Sequence, residues 1–231
     1  ISEEQLVDYS KAHNEPSWMT ELRKKALKLT ETLEMPKPDK TKLRKWDFDT
    51  FKQHHTTGDA YTQLTDLPKS VKEIIDVENS ENLIIQHNNE LAYTQVSDQA
   101  KHDGVIIEGL SEALVNHSDL VQKYFMTKAV DVDEHRLTAL HTALVNGGIF
   151  VYVPKNTVVE HPIQYVVLHD DEQASFYNHV IIVTEESAEV TYVENYLSTT
   201  SGEDNQLNIV SEVIAGANSN VTYGSVDYLD K

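Results

Sequence analysis

Asn146-Gly147-Gly148-Ile149-Phe150-Val151-Tyr152-Val153-Pro154-Lys155-Asn156 decides how the chain is read. The glycine pair ends a helical pattern. A run of β-branched and aromatic residues follows, and Pro154 stops it because proline has no N–H to give a neighbouring strand. Downstream the hydrophobic period is two. Strands are expected over 150–153, 163–168, 179–183, 189–193, 207–214 and 220–226, with Pro154, Pro162, Asn178, Gly216 and acidic turns between them. No convincing helix is expected after the seam. A weak internal repeat lays Ile182-Val183-Thr184 through Val190-Thr191-Tyr192 over Val213-Ile214-Ala215 through Val221-Thr222-Tyr223, an offset of 31 residues. One added residue also matches Tyr196-Leu197 to Tyr228-Leu229. Repeated strand units of this size read as a solenoid or a stacked sheet, with a β-sandwich as the alternative. The chain stops inside strand-like sequence, with no polar cap over a last coil, so the natural protein is expected to continue.

Upstream, helix and strand patterns mix. Ser2-Glu3-Glu4-Gln5 has the form of a capping box, and a short helix is expected to about His13. Pro16 can open a second helix, whose stripe Trp18, Leu22, Ala26, Leu29 and Leu33 leaves Arg23, Lys24, Lys25 and Lys28 mostly outside it. Such a stripe covers its own core more often than it docks a partner. Met35-Pro36-Lys37-Pro38 ends that helix. Residues 37–70 read as an extended connection with an isolated Trp46-Asp47-Phe48 anchor. Strands at 83–86 and 91–96 flank His87-Asn88-Asn89-Glu90 as a hairpin, and 105–107 is a third strand. Ser111 and Asp119 are expected N-caps of short helices reaching Met126. A helix from about Glu134 to Val145 carries Leu137, Leu140, Ala143 and Leu144, with Gly147 as its C′ residue.

Composition narrows function. There is no cysteine, hence no disulfide, thiolate nucleophile or thiolate metal ligand from this chain. Net charge is −19, distributed as zero over residues 1–50, −8 over 51–145 and −11 over 146–231. So acidic a surface repels phosphate backbones and anionic membranes, which excludes nucleic-acid and membrane partners. No apolar run approaches the ~18 residues needed to span a bilayer. The opening residues are acidic and polar, unlike a secretory signal.

No motif carries chemistry. Gly147-Gly148 precedes a strand and is too short for a phosphate loop; no G-x-S-x-G elbow or H-E-x-x-H zinc helix is present. His54-His55 lacks a third ligand at metal spacing. His161, His169 and His179 would align only if strands stack; otherwise each faces solvent or caps a turn. His169-Asp170-Asp171-Glu172 is a dense acidic tract, as are Glu185-Glu186 and Glu203-Asp204, and turns are commonly acidic. Calcium held by such a tract, in an extracellular carbohydrate-active β-solenoid, is the alternative function. A polysaccharide-cleaving groove would want a basic residue beside its carboxylates, and only Lys155 and Lys231 follow the seam. The sequons at Asn116 and Asn220 carry no weight without a secretory signal.

Several separated blocks resemble one family. Glu15-Pro16-Ser17-Trp18-Met19, with Arg23, Ala26-Leu27 and Pro36-Lys37-Pro38, is similar to the N-terminal signature of the SufB/SufD family. Residues 137–144, with the block from Gly147 to Asn156, resemble the segment leading into that family's core. Residues 180–197, through Val190-Thr191-Tyr192-Val193-Glu194, resemble its following strands. The matches run from 15 to about 197, with none over 51–100.

The resemblance implies an α+β fold: a helical region and connector over 1–80, a small mixed region over 81–146, and the first coils of a right-handed parallel β-helix over 147–231, truncated at its C-terminal end. It implies a non-enzymatic, cytoplasmic scaffold of the bacterial SUF system for iron–sulfur cluster assembly. The partners would be a SufB-like paralogous subunit and a SufC-like ATPase, with any ATPase activity on the latter. The absence of cysteine places the resemblance on the SufD side of the family. The cluster would belong to the assembled complex and not to this chain. No catalytic, cofactor or metal residue is carried over, because the family's implicated histidine and its SufC-binding helices lie in the C-terminal part. His141 stands where SufB-like relatives are expected to have Asn, and is read as branch divergence and not as a site.

Overall fold

The computed structural model describes residues 1–43, 46, 48, 60–199 and 207–229. Ser2 caps helix α1 (Glu3–Ala12) through a reciprocal capping box with Gln5, as its sequence requires. Pro16 precedes α2 (Ser17–Thr32). A short helix α3 (Lys69–Lys72) leads to the hairpin β1 (Asn82–His87) and β2 (Glu90–Gln95). Asn88 makes its tight turn at φ 52°, a conformation asparagine tolerates. Then come α4 (Asp98–His102), β3 (Ile106–Gly109), α5 (Leu110–Asn116), α6 (Ser118–Tyr124) and α7 (Arg136–Leu144). The expected caps at Ser111 and Asp119 are not caps: Gly109 and His117 precede those helices. Nor is Gly147 the C′ residue of α7. Val145 ends that helix, and Gly147 already belongs to the next strand.

From the seam onward there are six strands and, among the described residues, no helix. They are β4 (Gly147–Val153), β5 (Ile163–His169), β6 (Phe176–Thr184), β7 (Glu189–Ser198), β8 (Leu207–Ala215) and β9 (Asn220–Tyr228). Each contains the segment expected from period two. Successive strands alternate between two sheets, a five-stranded sheet β2-β1-β5-β7-β9 and a four-stranded sheet β3-β4-β6-β8. The 31-residue repeat is the pairing register itself, since Ile182 lies beside Val213 and Val190 beside Val221. The added residue is not needed: Tyr196 pairs with Asp227 and Leu197 with Tyr228.

These sheets correct the expected architecture. The fold is α/β, built on two mixed sheets with helices, and not an α+β chain ending in a right-handed parallel β-helix; the described residues form no solenoid. The reason lies before the seam. The β1–β2 hairpin joins β5, and β3 pairs antiparallel with β4, so each sheet starts from strands of the preceding region. One apolar layer fills the space between the sheets, with Ile84, Ile107, Ile149, Val151, Tyr165, Val180 and Tyr192. A second lies where the helices cover the four-stranded sheet: Met19, Ala26, Leu114, Val121 and Leu144 meet Phe150, Tyr177 and Ile181. A third, around Leu83, Ile85 and Val166, is covered by Leu67, Val71 and Ile75. No described helix is long and apolar enough to cross a membrane.

The expected stripe of α2 is displaced by one position. Met19, Arg23 and Ala26 are its buried residues, while Trp18, Leu22 and Leu29 pack at the margin. Arg23 is 2% exposed. It pairs with Glu15 at 2.6 Å and donates to the carbonyls of Ala143 (2.9 Å) and Val145 (2.8 Å). It therefore satisfies carbonyls that the end of α7 leaves open, immediately before the seam. Trp46 is exposed and stacks on Phe48 at 6.0 Å; Asp47 lies outside the described residues.

Candidate functional site

β6 is buried along its whole length and places two consecutive polar side chains on opposite faces. Asn178 points between the sheets and His179 toward the helices. Each is the centre of a polar cluster in an otherwise apolar layer, and such groups persist there only when hydrogen-bonded.

Around Asn178, the Tyr165 hydroxyl donates to Gln86 Oε1 at 2.6 Å, and the Gly148 N–H donates to the same oxygen at 3.1 Å. Asn178 Nδ2 donates to the hydroxyls of Tyr165 (3.1 Å) and Tyr196 (3.2 Å). Gln86 Nε2 donates to Asn178 Oδ1 at 3.2 Å. Farther along the same layer Glu194, 3% exposed, accepts from Tyr192 and Tyr223, each at 2.6 Å. Burial pushes all four of these phenols well above the usual tyrosine range, so each remains a hydrogen donor. Beside Gln86 a cavity of about 340 Å³ opens between Gly147, Gly148, Glu90, Glu112 and His13. Burial raises the Glu112 carboxyl, opposed by a bond from its own backbone.

On the other face, Glu212 Oε2 lies 2.8 Å from His179 Nε2, and His179 Nδ1 lies 2.8 Å from His141 Nε2. His141 Nδ1 reaches Asn208 Oδ1 at 2.7 Å. The Glu212 carboxyl also accepts the N–H groups of Met126 (3.0 Å) and Val130 (3.2 Å). His141, His179 and Glu212 are all 0% exposed, and the Phe125 ring covers His179 at 4.6 Å.

The histidines singled out by sequence therefore part company. His179 and His141 meet in one chain. His169 is buried against Phe176, with no hydrogen-bond partner on either ring nitrogen among the described residues. His161 is partly exposed, 3.8 Å from Glu81. His54-His55 and Glu203-Asp204 lie outside the described residues. Asp170 of the acidic tract is engaged by His87 (2.8 Å) and Asn88 (3.0 Å), and Asp171 accepts from Gln173 N at 2.8 Å. Among the described residues no group of three or more His, Asp or Glu is placed to hold a metal ion. His141 lies on the buried side of α7, one turn before Leu144. Glu212 is the one charged residue in Leu207–Ala215, a polar position inside a strand of apolar period. What these side chains do chemically is hold hydrogens in fixed places inside a packed scaffold.

Residues 4–165 match the family model described as the SufBD protein N-terminal region. Residues 166–231 match the SUF system FeS cluster assembly, SufBD core domain. The boundary lies inside β5, downstream of the glycine seam. The iron–sulfur cluster assembly protein SufD of Bacillus subtilis is 48% identical over 99% of this chain and 53% of its own length. SufBD family proteins of Staphylococcus epidermidis and Staphylococcus aureus are 26% identical over 98% of the chain and 50% of theirs. The chain thus spans about half the length of the curated relatives it matches. With both models matching in order and a relative at nearly half identity across almost every residue, the chain belongs to the SufB/SufD family of the SUF system.

Proposed function

We propose that the protein is a SufD-like subunit that serves iron–sulfur cluster assembly as a scaffold and not as an enzyme. The observation that carries this reading is the 48% identity to a SufD over 99% of the chain. Two features support it physically. Among the described residues the buried polar side chains are held by one another and by backbone groups. Two packed sheets, each with helical segments packed against it, form a rigid body on which partner-facing residues keep fixed spacing. In this reading the protein works in the cytoplasm beside a SufB-like paralogous subunit and a SufC-like ATPase. The cluster is cargo of the assembled complex, and ATP hydrolysis belongs to the SufC-like partner. The extracellular, calcium-dependent alternative draws no support from the relatives or from the engaged acidic tract.

The test is affinity purification of the natural full-length protein from its own cells. SufB-like and SufC-like chains are expected to co-purify, and the purified subunit alone is expected to hydrolyse no ATP. Recovery without either partner would overturn the proposal.

A further inference from the structure

The cavity of about 340 Å³ beside Gln86 receives two carboxylates from different elements, Glu90 at the start of β2 and Glu112 in the first turn of α5. Gly109, the N-cap of α5, makes room for the second. A Cβ at that glycine would overlap Glu112 Oε2, so the carboxyl stands where a side chain is missing. Glu112 takes a bond from its own backbone N–H, and among the described residues neither it nor Glu90 has a cationic partner. A third acid, Glu108, is already engaged by His117 at 3.1 Å and Asn116 at 3.2 Å. Among the described residues no lysine or arginine lines the cavity. Its imidazole, His13, has Nδ1 2.9 Å from the Tyr9 carbonyl oxygen and stacks on the Tyr9 ring. The charges of Glu108 and Glu90 therefore add to burial in raising the Glu112 carboxyl, against the bond from its backbone.

The remaining wall is largely apolar, with Ile84, Leu91, Leu110 and Val115, the last 52% exposed. The volume is at the small end for ligand sites and suits one long side chain. Two carboxylates set apart in such a cleft are matched by a cation with several donors and an apolar stem. Arginine has both. Its guanidinium spreads five N–H donors in one plane and is more weakly hydrated than an ammonium, and its methylenes pack on apolar surface. We propose that this cavity receives an arginine side chain of a partner chain, its guanidinium between Glu90 and Glu112 and its stem along Leu91 and Leu110. The net charge of −8 over residues 51–145 attracts such a side chain before contact. Only the identity of the partner rests on the scaffold reading; the cavity's preference for a guanidinium does not.

The test is a titration of the isotope-labelled full-length natural protein, followed by amide chemical shifts. One probe is N-acetyl-arginine methylamide; the other is its citrulline counterpart, of the same length and without charge. The arginine probe is expected to shift the amides of Gly109, Glu112 and Gly148 saturably. The citrulline probe is expected to bind at least roughly 10-fold more weakly, the weight of one hydrogen bond to a charged group. Glu112→Gln keeps a residue suited to the first helical turn and removes the charge. It is expected to erase the preference for arginine, and Glu90→Gln to reduce it. Equal binding of the two probes, no shift at these amides, or an undiminished preference in Glu112→Gln overturns the proposal. So does tighter binding of spermidine or of N-acetyl-lysine methylamide, which would make the cavity an ammonium site. In the co-purified complex, the Glu90→Gln, Glu112→Gln double variant is expected to release its partner at lower salt than the wild type, and an unchanged salt midpoint overturns the docking role. If the wild type recovers no partner, the scaffold reading falls, and the titration still decides the cavity.

Discussion

Gly148 shows how much a single backbone position can carry. Its φ is +145°, and a Cβ there would lie 2.0 Å from the His179 carbonyl oxygen, a backbone atom that cannot swing aside. Gly148→Ala therefore combines dihedral strain with overlap in a packed interior. It is expected to destabilise the protein by roughly 3–5 kcal/mol, read from the urea midpoint; a loss below about 1 kcal/mol would contradict the geometry. At this scale sequence was a partial guide. The glycine pair announced a break in pattern, but not that its reason was a neighbouring strand. Arg23 was assigned to the outer face because charged residues are seldom buried. It is buried because Glu15 and two helix-end carbonyls together satisfy its donors, a set of partners from 8 to 122 residues away that no local pattern displays.

Among elements, the meeting of α7, β6 and β8 has a measurable acid signature. The His141 ring is held neutral by burial, whereas in the unfolded chain it titrates near the ordinary value of about 6.5. As pH falls through that value the unfolded chain gains a proton that the fold refuses. The stability is thus fully present above about pH 6.5 and declines below it, by up to ~1.4 kcal/mol per pH unit from this one group. Buried His169 is shifted the same way. Chemical denaturation at pH 7, 6 and 5 is expected to show the decline, and a shallower one in His141→Asn; equal slopes in the two proteins would contradict the assignment. The strands themselves were legible, because short runs of β-branched and aromatic residues bounded by turn residues mark strands even where, as in β5 and β6, both faces are buried. The two polar clusters were not, because Asn178 and His179 are neighbours in sequence and belong to opposite sides of a sheet.

For the whole molecule, the missed feature was how strands are shared. The 31-residue repeat was visible, but period and offset are blind to which strands from before residue 147 complete each sheet. β1 and β3 do so, and all three apolar layers include residues from both sides of the seam. The described fold is therefore expected to unfold in one transition, with far-ultraviolet circular dichroism and tryptophan fluorescence tracing the same urea curve. Curves that separate, with the helical signal lost first, would mean that the N-terminal helices hold their own stability.

The register of the parallel strands also gives a way to count. Gly147 stands beside Asn178, and Gly148 beside His179, each one repeat of 31 residues away. The two polar clusters radiate from those later positions, and a Cβ on Gly147 would lie 2.9 Å from Asn178 Oδ1. Read modulo 31, the glycine pair is the small level of two columns that run on through Asn178 to Ile209 and through His179 to Val210. A change of side-chain size at one level of a column is a demand on the next level, so substitutions here should be judged in vertical sets and not one residue at a time.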